Sequence, residues 1–150
     1  MNIAIVRDFG TSPVDADISR IAHTTRCIAI VGMSPKETRP SWGVGRYLKS
    51  QGYRIVPVNP VYAGKTILGE IVYPNLHAIP HEISVDMVDI FRQPVAVPGI
   101  IKDAMACLPR LRTIWMQLGV SHALAANQAR AQGLIVIEDR CPKIEFPRFR

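Results

Sequence analysis

From Gly32 to Gly45 the chain reads GMSPKETRPSWGVG, with hydroxyls at Ser34 and Ser41 and cations at Lys36 and Arg39. Glycine lets a phosphate come close to the backbone. Free N–H groups at a helix start favour its charge, and Lys36 would neutralise it. The dinucleotide fingerprint G-x-G-x-x-G is absent, because Met33-Ser34 follows Gly32 and the loop is longer. An NAD site also expects an acid closing the second strand to hold the ribose hydroxyls, and Asn59-Pro60 stands in that place. Gly43 and Gly45 have a second reading, close packing of a helix on a sheet. The chemistry indicated is that of a phosphate-bearing small molecule, with ordinary NAD disfavoured.

Other reactive residues are less organised. Gly64-Lys65-Thr66 looks like the end of a Walker A loop, but Asn59 occupies the place of its first glycine and no helical pattern follows. Lys65 is then either a mobile cation over the ligand or a solvated surface residue. His23, His77, His81 and His122 form no ligand set, since Pro80 breaks any helix that would align His77 with His81. No G-x-S-x-G elbow or paired-carboxylate pattern occurs, and Ser34 has no evident base. Cys141 lies between Arg140 and Lys143, a setting that can lower a thiol pKa, although a structural cysteine is the simpler reading. No catalytic residue is assigned.

The elements that must position the loop are legible. Cys27–Val31 is an apolar run ended by Gly32, suited to a strand buried on both faces. Ser41 is placed to cap the next helix, with Val44, Tyr47 and Leu48 on one face and Gly52 at its end. Arg54–Val58 returns as a second strand, completing a β-α-β unit. Val85–Phe91 is the third strand, followed by a helix from Pro94 to about Leu108 with Ile101, Ala104, Met105 and Leu108 on one face. Pro98 is tolerable only in its first turn. Thr113–Leu118 is the fourth strand, Ser121 caps a helix running to Ala131, and Leu134–Glu138 is the fifth. Ahead of these, Asp15 or Asp17 caps a short helix through Ile18, Ile21 and Ala22, and a one-turn helix falls near Leu76–Ile79. The expectation is an α/β fold: a doubly wound parallel sheet of about five strands, order 3-2-1-4-5, with helices on both faces. Ligands of such sheets bind outside the carboxyl ends of the strands. That rule selects Gly32–Ser34, Val58–Pro60, Phe91–Arg92, Gln117–Gly119 and Asp139–Cys141.

The totals agree with a single domain over residues 1–150, in which 1–26 pack on the rest. Apolar residues make up 48% and charged residues 20%, and no run approaches a membrane span. The beginning MNIAIVRDFG lacks a secretory pattern, and three cysteines without CxxC spacing suit reduced thiols, so a cytoplasmic location is expected. The net charge of +6 is spread along the chain rather than gathered into a basic run, which disfavours nucleic acid and suits a small polyanion.

Taken together, the stretches IAIVGMSPKETRPSWGVGRYL, YRIVPVNPVYAGKTILG, VDMVDIFRQPVAVP, TIWMQLGV and GLIVIEDRCPKIEFPRF resemble the small single-domain CoA-binding proteins. These are Rossmann-like and similar to the N-terminal domain of the succinyl-CoA synthetase alpha subunit. The resemblance covers about residues 28–149 and implies a site for coenzyme A or an acyl-CoA. By that resemblance Gly32, Met33, Ser34 and Lys36 contact phosphates from the first loop, while Val58, Asn59 and Pro60 flank the adenosine. Lys65 corresponds to a lysine that meets CoA phosphate in the synthetase relative. Phe91, Arg92 and Val95 belong to the loop over the ligand, and Gln117 and Gly119 close the opposite wall. Ser34, Lys36, Arg39, Lys65 and Arg92 supply donors for the diphosphate and the 3′-phosphate of CoA. The synthetase subunit carries its catalytic histidine in a second domain that has no counterpart here. A non-catalytic binding module, regulatory or carrier in role, is therefore the expectation, with a homo-oligomer or a partner enzyme compatible with it. The alternatives are a nucleotide- or acyl-CoA-dependent enzyme, or a redox-sensing subunit using Cys141.

Overall fold

A computed structural model describes residues 12–149. Helix α1 (Pro13–Thr24) opens them, its Ile18, Ile21 and Ala22 buried. It is capped by Ser12, whose Oγ accepts from the Asp15 N–H at 3.0 Å. The expected caps Asp15 and Asp17 lie inside the helix instead, since Pro13 takes its first position and shifts the start upstream.

Strand β1 (Cys27–Val31) leads through the first loop into α2 (Pro40–Ser50) and back through β2 (Arg54–Val58). A short antiparallel hairpin, β3 (Thr66–Ile67) and β4 (Glu70–Ile71), follows. A single 3-10 turn covers Leu76–Ala78, close to where the sequence places it. Then come β5 (Met87–Ile90), α3 (Val97–Cys107), β6 (Thr113–Met116), α4 (Ala123–Ala131), β7 (Ile135–Ile137) and the short α5 (Pro142–Glu145). Pro98 does fall in the first turn of α3. Met105 is 41% exposed, off the buried stripe formed by Val97, Ile101 and Ala104.

All five long strands are parallel, in the spatial order β2-β1-β5-β6-β7. The doubly wound pattern is therefore as expected, with the chain reversing its direction of travel across the sheet after β2. One detail differs from the simplest count. The strand expected third in line, β5, pairs with β1 and not with β2. Among the described residues the place beyond β2 is held by Tyr73, in a parallel bridge to Val58. Counting that bridge as the rudimentary third strand restores the 3-2-1 order on this side of the switch.

Two apolar layers sandwich the sheet because side chains alternate along every strand. Ala29, Val31, Val56, Val88, Ile90, Ile114 and Met116 pack under α3 and α4. Ile28, Ile30, Ile55, Met87, Trp115 and Ile137 pack under α1 and α2 and against Phe146. Trp115 meets Phe146 edge to face at 5.5 Å, which ties the C-terminal segment to the sheet.

Candidate functional site

The carboxyl ends of β1, β2 and β5 converge around Gly32. Its N–H donates to the Val58 carbonyl at 2.8 Å, and the Phe91 N–H donates to the Val31 carbonyl at 2.8 Å. Gly32 has φ +89°, and a Cβ there would lie 2.4 Å from the Phe91 carbonyl oxygen. Only glycine permits this three-strand junction. Asn59 then fastens the first loop to the second: its Nδ2 donates to the Met33 carbonyl at 3.0 Å, and its Oδ1 accepts from Val61 N–H at 3.0 Å. The Asn59 side chain is occupied in holding the loops together.

Within the first loop the expected residues divide. Met33 points inward and is fully buried, with its Cε beside Gly45, so only its backbone belongs to the loop surface. The packing role of Gly45 is thereby established. Ser41 does not cap α2. It is buried, and its Oγ accepts from the Ser34 N–H at 2.9 Å, folding the loop onto the helix start. Ser34 Oγ in turn accepts from the Lys36 N–H at 3.1 Å. The cap position of α2 belongs to Arg39, which makes no side-chain capping bond. Lys36 and Arg39 are exposed, and neither side chain has an ion pair among the described residues.

Two depressions flank Arg92. A cleft of about 170 Å³ is lined by Val58, Pro60, Arg92 and, from two segments that the sequence does not assign to the site, Asn75, Leu76, Ile100 and Asp103. The linkage of these last residues to the site depends on α3 and the 3-10 turn folding over one face, for which no local pattern gives a signal. Asp103 is engaged with His77 at 3.4 Å. A shallow groove of about 420 Å³ runs along Phe91, Arg92, Gln117 and Gly119. Gln117 is 6% exposed, and Gly119 donates its N–H to Asp139 Oδ1 at 2.7 Å. Val95 stands at 83% exposure just beyond Pro94, which lines the same groove. Lys65 is exposed at the outer edge of the sheet, level with the end of β2, because its carbonyl accepts from Val72 N–H while Tyr73 N–H pairs with Pro57. Another cavity, about 240 Å³, lies near Val85 and Leu108 at the opposite ends of the strands and contains none of the expected residues.

Cys141 is 5% exposed and sits at the cap position just before α5, inside the layer that contains Trp115 and Phe146. Its neighbour Arg140 is turned to Glu145 at 3.4 Å. Burial pushes the Cys27 thiol up to about 11 and raises that of Cys107. Among the described residues no group of three histidines, cysteines or acids is arranged to hold a metal, and no helix is long and apolar enough to cross a membrane.

One buried acid escaped the sequence reading. Asp89 sits mid-strand in β5, fully buried, and neither carboxyl oxygen has a hydrogen-bond partner among the described residues. Its signal was present: in VDMVDIF an acid interrupts a strand apolar on both faces, so it must be buried whichever way it points. Burial holds this carboxyl well above the ordinary carboxylate range.

Sheet order, the switch beside β1 and loops gathered at the carboxyl ends place the chain among doubly wound α/β domains that take ligands at those ends. It belongs to the CoA binding domain family, whose model matches residues 26–147. The protein YneT of Bacillus subtilis (strain 168) is 30% identical over 133 residues, spanning 89% of this chain and 94% of that protein. The solved structure of cell-free ID.343 from Thermus thermophilus is 31% identical with a TM-score of 0.83, covering 91% of this chain and 98% of the other. A hypothetical protein from Pyrococcus horikoshii OT3 is 32% identical with a TM-score of 0.81, covering 90% and 91% respectively.

Proposed function

We propose that this protein binds coenzyme A or an acyl-CoA across the carboxyl ends of β2, β1, β5 and β6, and that it does so as a carrier or regulatory module without transforming the ligand. The observation that carries the reading is the set Lys36, Arg39, Lys65 and Arg92. These cations border the strand-end loops, and none pairs with a carboxylate among the described residues. A ligand with a diphosphate and a third phosphate matches such a set in charge. In this reading Gly32, Met33 and Ser34 offer backbone to the diphosphate, while Val58 and Pro60 flank the adenosine. Phe91, Arg92, Val95, Gln117 and Gly119 follow the remaining arm. Asn59 acts as the brace between loops.

Calorimetry with CoA, dephospho-CoA and NAD tests the assignment: CoA should bind tightest, and equal or absent binding of all three would overturn it. Lys65→Ala should weaken CoA by roughly tenfold, within the range for losing a hydrogen bond to a charged group, and leave dephospho-CoA within about twofold. An unchanged ratio removes Lys65 from the 3′-phosphate. Incubation of the purified protein with acyl-CoAs should yield no hydrolysis or transfer; turnover lost in Cys141→Ser would make it an enzyme. The burial of Cys141 weighs against the redox-sensor alternative, which requires that thiol to be uncovered.

A further inference from the structure

The groove beside β6 has an unusual rear wall. Gln117 has both backbone groups engaged, its N–H donating to the Ile90 carbonyl at 3.2 Å and its carbonyl accepting from Val120 N–H at 2.8 Å. Only its side chain remains free to read a ligand. That side chain is buried, lines the groove, and has an Oε1 without a partner among the described residues. Asp89 stands opposite Trp115 in register, so alternation puts Asp89, Trp115 and Gln117 on the same face of adjacent strands. One side-chain donor on that face is already used, since Trp115 Nε1 donates to the Arg140 carbonyl at 2.7 Å. Three buried oxygens, two on Asp89 and one on Gln117, thus lack donors among the described residues.

Three orphaned acceptors are costly unless a donor lies among them. In the arrangement proposed below, a protonated Asp89 is that donor, and its O–H serves Gln117 Oε1 directly or through one internal water. The amide of Gln117 then has its oxygen turned inward and its NH2 turned to the groove.

We propose that Asp89 is a positioning residue that holds the Gln117 carbonyl inward, so that the Gln117 NH2 is a specificity-determining donor to a carbonyl oxygen on the non-nucleotide arm of the ligand. This rests on the CoA reading above. Two sources supply such a carbonyl, the amides of the pantetheine arm and the thioester of an acyl-CoA. Adenosine 3′,5′-bisphosphate, which has the nucleotide and no carbonyl on an arm, has neither.

Calorimetry of wild type, Gln117→Leu, Asp89→Leu and Asp89→Asn with CoA, acetyl-CoA and adenosine 3′,5′-bisphosphate is the test. Gln117→Leu should lose about tenfold toward CoA, the value of one well-placed hydrogen bond, and keep the bisphosphate within about twofold. Asp89→Leu should reproduce that selective loss, and Asp89→Asn, which keeps a neutral donor, should restore the wild-type ratio. A larger loss for acetyl-CoA than for CoA assigns the thioester carbonyl, and equal losses assign the pantetheine amides. Equal loss of CoA and bisphosphate in Gln117→Leu, or an Asp89→Asn no better than Asp89→Leu, overturns the proposal. Should Asp89→Leu not fold, the side-chain NH2 resonances of Gln117 in wild type decide: they should shift with CoA and stay fixed with the bisphosphate, and the reverse rejects the donor role. Failure of wild type to bind CoA at all is the separate failure of the functional reading, and it takes this inference with it.

Discussion

Asp89→Asn should make the protein more stable than wild type, by a margin that grows with pH. Asp89 is fully buried without a hydrogen-bond partner among the described residues, and burial raises its pKa. An acid whose folded-state pKa is raised contributes most to stability below its unfolded pKa of about 3.9, and that contribution is lost as pH climbs toward the folded value. Over that window the unfolded chain releases a proton that the folded chain keeps. Wild type should therefore lose about 1.4 kcal/mol per pH unit relative to Asp89→Asn, starting near pH 4. Urea unfolding of both proteins at several pH values between about 4 and 7 measures the difference. A margin that stays constant across the window would mean that Asp89 ionises normally in the folded state. The cost is consistent with a role in the site, since sequence and fold otherwise agree along β5.

Gly32→Ala should destabilise by roughly 2–4 kcal/mol, combining left-handed backbone strain with a backbone clash. Its φ of +89° disfavours any side chain, and the added methyl would meet the Phe91 carbonyl at 2.4 Å, where no flexible atom can yield. Gly133→Ala is the matched control, because φ is +92° there and nothing lies within 4 Å. It should cost only about 1 kcal/mol. Chemical denaturation separates the two, and equal costs would show that the β1–β5 junction relaxes freely. Gly32→Ala should also abolish CoA binding under conditions where it remains folded, because the β1 and β5 loops would have to part.

The apolar runs at Cys27–Val31, Arg54–Val58 and around Val88, Ile114 and Val136 made the strands legible, since strands buried on both faces must be apolar throughout. Their alternation with helical periodicity sufficed for a doubly wound sheet, and the strand-end rule pointed to its loops. Glycines and cations near those loops are a local property of the chain, so Gly32, Lys36 and Arg92 can be placed at strand ends from the sequence. The cations' lack of ion pairs among the described residues is read only from the structure. The caps were not. Ser41 serves the first loop, α2 has no side-chain cap, and α4 is capped by His122, whose Nδ1 accepts from Ala125 N–H at 3.1 Å, in place of the expected Ser121. Several neighbouring hydroxyls and amides can cap a helix, and only the path of the incoming chain selects among them.

By itself, then, the sequence determined the five long strands and the helices that connect them, and where glycine and positive charge concentrate, but not the short helix at Pro142–Glu145. These follow from side-chain polarity and from the spacing of residues close along the chain. Tertiary structure alone decided that β5 lies beside β1, that Met33 faces the core, that Asn59 braces two loops, and that Asp89 and Gln117 share a buried face. Each of those depends on which strands become neighbours, and contacts between residues distant along the chain are set by packing the whole sheet between its two helical layers.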